Sequence, residues 1–354
     1  MRHPIDVFRD GIRAGVAPGG QLAASREGVR VAEVAEGRLG PGSADPSMAV
    51  DEDTIYDLAS LTKPLATATL LGLLSERGQL ELSDPIARFI DRVDPSVTIG
   101  AALTHSAGWP AHRRFDLELP PDITPGTWDA FDSIVRAAAS VPLEVAPGQR
   151  SLYSDIGFIL LGALVERAGG GPISEQFRAW NGPSGSLGYR DQRLGRPPVV
   201  GRARVIAPTE ACAPGEAHDE NARAMGGAAG HAGLFGTARD VLTLGERLVA
   251  AYNGARSGPL SPETVRRMFS PSEVVGSTRT YGWDRPSGAG SSTGGRWPST
   301  SVGHLGFTGT SIWIEPERAL IVVLVTNRVC PTRANEAIRK LRPEVHDAAW
   351  GSWG

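Results

Sequence analysis

Lysine is nearly missing from this chain. Of its 36 basic residues only Lys63 and Lys340 are lysines, so arginine has taken almost every position that needs a positive charge. That scarcity makes each lysine informative, because a buried lysine can give up its proton and become a base whereas arginine cannot. Cysteine is as rare: Cys212 and Cys330 have no metal-type spacing, and two cysteines do not staple a chain of 354 residues, so both are expected to be plain buried or surface thiols. No run approaches the roughly 20 apolar residues needed to cross a bilayer. A net charge of −3 without a basic stripe gives no electrostatic case for nucleic acid. The first ten residues carry charges throughout and lack an apolar core or cleavage site, so a cytoplasmic chain is expected, or an exported one whose signal has been trimmed. What remains is ordinary globular composition, 41% hydrophobic and 21% charged, in a chain long enough to bury a sizeable core.

The chain is organised around Tyr56-Asp57-Leu58-Ala59-Ser60-Leu61-Thr62-Lys63-Pro64, which runs into the apolar stretch from Leu65 to Leu74. Leu65, Thr69 and Leu73, with Leu70 and Leu74, repeat at the spacing of a buried helix. On a helix Ser60 and Lys63 share one face, about 5–6 Å apart at Cβ. A serine at such a helix start meets free N–H groups and the positive end of the dipole, which favour a developing oxyanion. The pair reads as a nucleophile beside its activator, with Lys63 kept largely neutral by burial. Against this stands chance: serine is common, and one Ser-x-x-Lys alone is a weak signal.

Along the chain, 4–15 read as an amphipathic helix, and Gly20 to Glu36 as a hairpin turning at Arg26-Glu27-Gly28. Strands are expected at Tyr281-Gly282-Trp283, Thr310 to Ile314 and Leu320 to Val325, with a turn at Glu315-Pro316-Glu317-Arg318 and a closing helix from Ala334 to Ala349. Between these β-rich ends, helical periodicity dominates, including a helix through Phe158 to Val165 that Gly169-Gly170-Gly171 ends. Residues 181–217 read as a surface excursion, and 285–300 as a glycine-rich break. The expected class is α+β: residues 1–63 and 271–354 form an antiparallel sheet domain, and 64–270 an inserted, mainly helical one.

Two further motifs carry chemistry. Tyr153-Ser154-Asp155 precedes the Phe158 helix; near Lys63, the Tyr153 phenol is expected to have a lowered pKa and to pass protons, although a tyrosine capping a helix is an equally good bland reading. Val302-Gly303-His304-Leu305-Gly306-Phe307-Thr308-Gly309-Thr310 is a strand with glycines where a strand avoids them, which marks close approach of a ligand or another backbone. Its Phe307 N–H, with that of Ser60, is a candidate oxyanion hole. His218-Asp219-Glu220-Asn221 and Gly230-His231-Ala232-Gly233 fit no metal spacing and read as a polar loop over the site, with neither metal nor cofactor.

Ser60-Leu61-Thr62-Lys63, Tyr153-Ser154-Asp155 and His304-Leu305-Gly306, in this order, resemble the penicillin-recognising serine hydrolases: class C β-lactamases, D-alanyl-D-alanine carboxypeptidases and related esterases. Leu103-Thr104-His105-Ser106-Ala107-Gly108 and Gly233-Leu234-Phe235-Gly236-Thr237-Ala238 extend the resemblance. It implies a β-lactamase/transpeptidase-like fold, Ser60 as the acylated nucleophile, Lys63 and Tyr153 as its bases, and Asp155, His304, Gly306 and Thr308 against a small-molecule substrate. Two positions depart from the family pattern. Asp155 stands where an asparagine is common, and His304-Leu305 replaces Lys-Thr, exchanging a fixed cation for one expected to titrate near neutrality. The resemblance therefore implies hydrolysis of a small ester or amide, with a peptidoglycan-derived one in view. A β-lactamase or D-Ala-D-Ala carboxypeptidase is the alternative within the class, and a sensor that binds penicillin without turnover is the alternative outside it.

Overall fold

The computed structural model describes residues 2–182, 185–195, 205–210, 213–255, 260–288 and 290–354; Cys212 and part of the 181–217 excursion lie outside them. In chain order the strands are β1 (Gly19–Arg26), β2 (Val29–Gly37), β3 (Tyr56–Asp57), β4 (Gly188–Tyr189), β5 (Leu234–Gly236), β6 (Val302–Gly306), β7 (Thr310–Glu315) and β8 (Leu320–Thr326). The helices are α1 (Pro4–Arg13), α2 (Thr69–Glu76), α3 (Ile99–Leu103), α4 (Trp128–Ala139), α5 (Asp155–Gly169), α6 (Ile173–Asn181), α7 (Glu220–Ala224), α8 (Ala238–Tyr252), α9 (Pro262–Phe269) and α10 (Ile338–Trp353).

The two chain ends meet in one antiparallel sheet of order β2-β1-β8-β7-β6, in which β1 pairs with β8 from Gly20 opposite Thr326 to Arg26 opposite Leu320. The unbroken apolar run of β8 follows from burial on both faces. Leu320, Val322 and Leu324 pack with Phe8, Ile12 and Val345 under α1 and α10, while Ile321, Val323 and Val325 join the larger core of the helical region. A small sheet, β3-β5-β4, pairs Tyr56 with Gly236 and Asp57 with Phe235, and so ties the approach to Ser60 into that region.

Two sequence expectations change. Tyr281-Gly282-Trp283 is a turn rather than a strand: Gly282 has φ +91°, and the Tyr281 and Gly282 amides donate to the carbonyls of Met268 and Leu103. The closing helix begins four residues later than expected, because Arg328 holds the Arg333 and Asn335 carbonyls at 2.9 and 3.0 Å and keeps that stretch a loop. Among the described residues no single helix is long and apolar enough to cross a membrane.

Candidate active site

Ser60 sits on a short 3-10 turn, Ala59–Leu61, at the end of β3. Ala59 takes the left-handed conformation, φ +47°, a strained choice for a residue with a side chain, and the surroundings hold it there. The buried Asp57 carboxylate accepts the Ala59 N–H and the His218 N–H, both at 2.7 Å. The chain then enters a π-helical stretch, Lys63–Ala68, that continues as α2. Widened turns of this kind are frequent at functional sites.

Lys63 is fully buried, and its Nζ finds an acceptor for each of its three hydrogens: Ser60 Oγ at 3.0 Å, the His231 carbonyl at 2.9 Å and Asp155 Oδ1 at 2.8 Å. The sequence reading of a lysine neutralised by burial is corrected here. Burial does push its pKa down, but the Asp155 carboxylate and Tyr153 oppose that and hold it above its ordinary value, so the resting side chain is an ammonium. Asp155 is correspondingly held far below the usual carboxylate range: burial is outweighed by Lys63 and His112. With Oδ1 on Lys63 and Oδ2 facing His112 at 3.2 Å, Asp155 serves as a counter-ion, not as the substrate-binding group expected of it.

Tyr153 lines the cleft with Ser60, and its ring lies 5.0 Å from Lys63 Nζ. Its pKa moves up rather than down, since desolvation exceeds the pull of the cation, so the resting phenol is protonated. Tyr153 is placed by His105, whose ring packs against it at a tilt of 39° with centroids 4.6 Å apart and whose Nδ1 accepts the Ser154 N–H at 3.1 Å. The His105 segment was legible as a motif, yet its positioning role was not assigned from sequence.

The β6–β7 hairpin completes the cleft, which has a volume of about 350 Å³ and is lined by Ser60, Tyr153, His304, Phe307 and arginines including Arg279 and Arg342. His304 is buried beside Tyr153 and its Nδ1 donates to the Leu305 carbonyl at 2.8 Å. Burial, then Lys63 and Arg279, depress its pKa to about 3, so it is neutral at physiological pH and does not titrate there as expected. Thr308 is a further correction: it is fully buried and donates to the Asp57 carbonyl at 2.7 Å, anchoring the hairpin to the Ser60 turn instead of facing substrate. Gly306 borders the cleft, but a side chain there is forbidden by the Leu58 carbonyl, 2.5 Å from where a Cβ would stand. Gly303 makes room for the Trp313 indole. Phe307, half exposed at the mouth, is flanked by His218 and by Arg328.

The loop motifs expected to cover the site reach Lys63 itself. Asp219 caps α7 by accepting the Ala222 N–H at 2.8 Å and holds His231 Nε2 at 2.8 Å, while the His231 carbonyl receives Lys63. The arginines were not legible as a cleft feature. Arg279 pairs with Asp284 at 3.2 Å, whereas the buried Arg342, among the described residues, donates to the Gly306 and Thr310 carbonyls.

A family model described as Beta-lactamase matches residues 5–346. The chain is 31% identical over 309 residues to a putative D-alanyl-D-alanine carboxypeptidase of Escherichia coli O157:H7, covering 78% of this chain and 69% of that one. It is 27% identical over 304 residues to an N-acetylmuramyl-L-alanine amidase of Bacillus subtilis (strain 168), covering 78% and 68%. Among solved structures, EstCE1, a hydrolase with promiscuous acyltransferase activity, superposes with a TM-score of 0.74 at 20% identity over 98% of this chain and 97% of that one, a likeness of fold.

Proposed function

The chain belongs to the Beta-lactamase family, with its β-lactamase/transpeptidase-like fold, and from that premise we propose that it is a serine hydrolase working through an acyl-enzyme on Ser60. The observation that carries the reading is the contact of Ser60 Oγ with the buried Lys63 Nζ at 3.0 Å, with the Tyr153 ring 5.0 Å from that nitrogen, at the edge of an open cleft. To attack, Ser60 reverses its bond to Lys63. Lys63 first releases one ammonium proton to solvent, and the Ser60 hydroxyl then donates to the neutral amine, whose two remaining hydrogens stay on His231 and Asp155. The Ser60 oxygen bonds to the substrate carbonyl carbon as its proton passes to Lys63, and Tyr153 delivers a proton to the leaving group. The N–H groups of Ser60 and Phe307 receive the carbonyl oxygen, each such donor lowering the barrier by about 2.7–4 kcal/mol. Water then releases the acyl group by the reverse proton path. His304, being neutral, lines the cleft as a hydrogen-bonding group rather than as a charge.

The substrate we propose is a small ester or amide, with peptidoglycan-derived fragments the leading class. A D-alanyl-D-alanine carboxypeptidase or β-lactamase activity is the second reading. The cleft arginines favour it, because Arg342 keeps a positive group beside Gly306 although the family lysine has become His304. Rates on a p-nitrophenyl ester, a D-amino-acid amide, a muropeptide and a cephalosporin, for wild type and Ser60→Ala, test both. Turnover of at least one that Ser60→Ala abolishes supports a serine hydrolase. Binding without turnover in all four would instead leave a sensor.

A further inference from the structure

The Lys63–Asp155 pair has a third member that the chemistry above does not use. His112 Nδ1 faces Asp155 Oδ2, the oxygen turned away from Lys63, at 3.2 Å. The contact is built in: Ser154 Oγ donates to the Pro110 carbonyl at 2.7 Å and the Asp155 N–H to the Ala111 carbonyl at 2.8 Å, fastening the His112 segment along the start of α5. An ionised carboxylate only accepts, so Nδ1 carries the hydrogen and the other ring nitrogen is left to titrate. Side-chain exposure rises outward along the row, from 0% at Lys63 to 18% at Asp155 and 40% at His112. The buried pair thus has one neighbour in contact with solvent.

We propose that His112 is a positioning residue which, through Asp155, governs how readily Lys63 becomes a base; the proposal deepens the acyl-enzyme reading and rests on it. Deprotonating Lys63 alone leaves the Asp155 anion hydrogen-bonded but without a countercharge in a largely buried site, which is costly. When His112 is charged, Asp155 stays paired after Lys63 has given up its proton. His112 takes its second proton from solvent at the free ring nitrogen, so the Lys63 and His112 sites together hold one proton before and after, on one side of the carboxylate or the other. The hydrogen bond to Asp155, despite partial burial, raises the His112 pKa, which is the direction this requires. The other charges facing His112 are Asp219 and Glu220, which also favour its charged form. Arg113 and Arg114 on its own segment are paired with Glu118 and with Asp116 and Glu220. Around Lys63 stand Tyr153, the neutral His105 and His304, and Arg279, itself paired with Asp284.

Two measurements on the full chain test this. His112→Asn keeps a donor for Asp155 but cannot take up a proton, and His112→Arg supplies a permanent charge. In a burst assay with p-nitrophenyl acetate, His112→Asn should acylate about tenfold or more slowly than wild type near pH 6–7, with the deficit closing as pH rises, while His112→Arg keeps the neutral-pH rate. A deficit equal at all pH values, or none, overturns the proposal. Because the chain has only two lysines, Lys340→Arg leaves Lys63 as the single lysine signal for a carbon-13 titration. In that background the Lys63 midpoint should lie about one pH unit or more lower with Arg at position 112 than with Asn. Equal midpoints overturn the proposal whatever the enzyme hydrolyses, whereas a missing burst in wild type counts against the acyl-enzyme reading alone.

Discussion

Lys63 is the residue on which the chemistry turns, and two substitutions separate its charge from its proton. Lys63→Arg keeps the charge that pairs with Asp155 but has no proton to lend, so acylation of an ester should fall about 10²–10⁴-fold; a burst of wild-type rate would contradict the base role. Asp155→Asn removes the anion that holds Lys63 charged. The neutral amine is then easier to reach, and the acid limb of the acylation rate should move to lower pH, by about 1–3 units. A limb that stays in place would mean that Asp155 does not set the Lys63 proton. Rarity made this residue legible in the sequence, since only two lysines among 36 basic residues invite a question about each. Its protonation state was not legible. That depends on Asp155, which lies 92 residues away in sequence and 2.8 Å away in space.

At the scale of elements, the site is a join between the Ser60 turn and the β6–β7 hairpin. Thr308 and Thr310 donate to the carbonyls of Asp57 and Leu58 at 2.7 and 3.1 Å, and Gly306 allows the two backbones to meet. Gly306→Ala should therefore push the hairpin away from Ser60, and a displacement on the order of 1 Å costs about 10²-fold in rate. Steady-state kinetics beside a thermal melt would check it: a large loss of kcat/KM in a protein that remains folded is expected, and unchanged kinetics would show that the contact does not set the geometry. The glycines of this strand were visible from sequence as places of close approach. What approaches was not, because strand propensity carries no information about Leu58 or the Trp313 indole. The same limit explains the Tyr281-Gly282-Trp283 turn: its residues read as a strand, but their amides are claimed by Met268 and Leu103.

The whole molecule folds both chain ends into one sheet with helices on either face, and this buries histidines in uncharged form. His304 and His346 have pKa values depressed to about 3, both chiefly by burial, and His105 also lies well below its ordinary value. An unfolded chain protonates these near pH 6.5, so their contribution to stability is present above that pH and is lost as pH falls toward the folded values. Each contributes a slope of about 1.4 kcal/mol per pH unit in that window. His346→Gln, at a side chain bonded to Ser311 at 3.0 Å, should flatten the acid side of a urea-midpoint profile; an identical slope would show that this histidine is already charged in the fold. The α+β architecture was legible because short extended runs bounded by turns mark the paired ends of the chain. The start of α10 was not, since Arg328 fixes it from another element.

The central claim is that Ser60 is the atom acylated. Intact-protein mass spectrometry of wild type and Ser60→Ala, treated with a fluorophosphonate and with a penicillin and followed over time, tests it most directly. The account predicts one fluorophosphonate adduct, mapped to the peptide carrying Ser60 and absent from Ser60→Ala, and a penicilloyl adduct, if one forms, on the same residue. A wild-type protein that acquires no adduct, or an alanine variant labelled to the same extent, would contradict it.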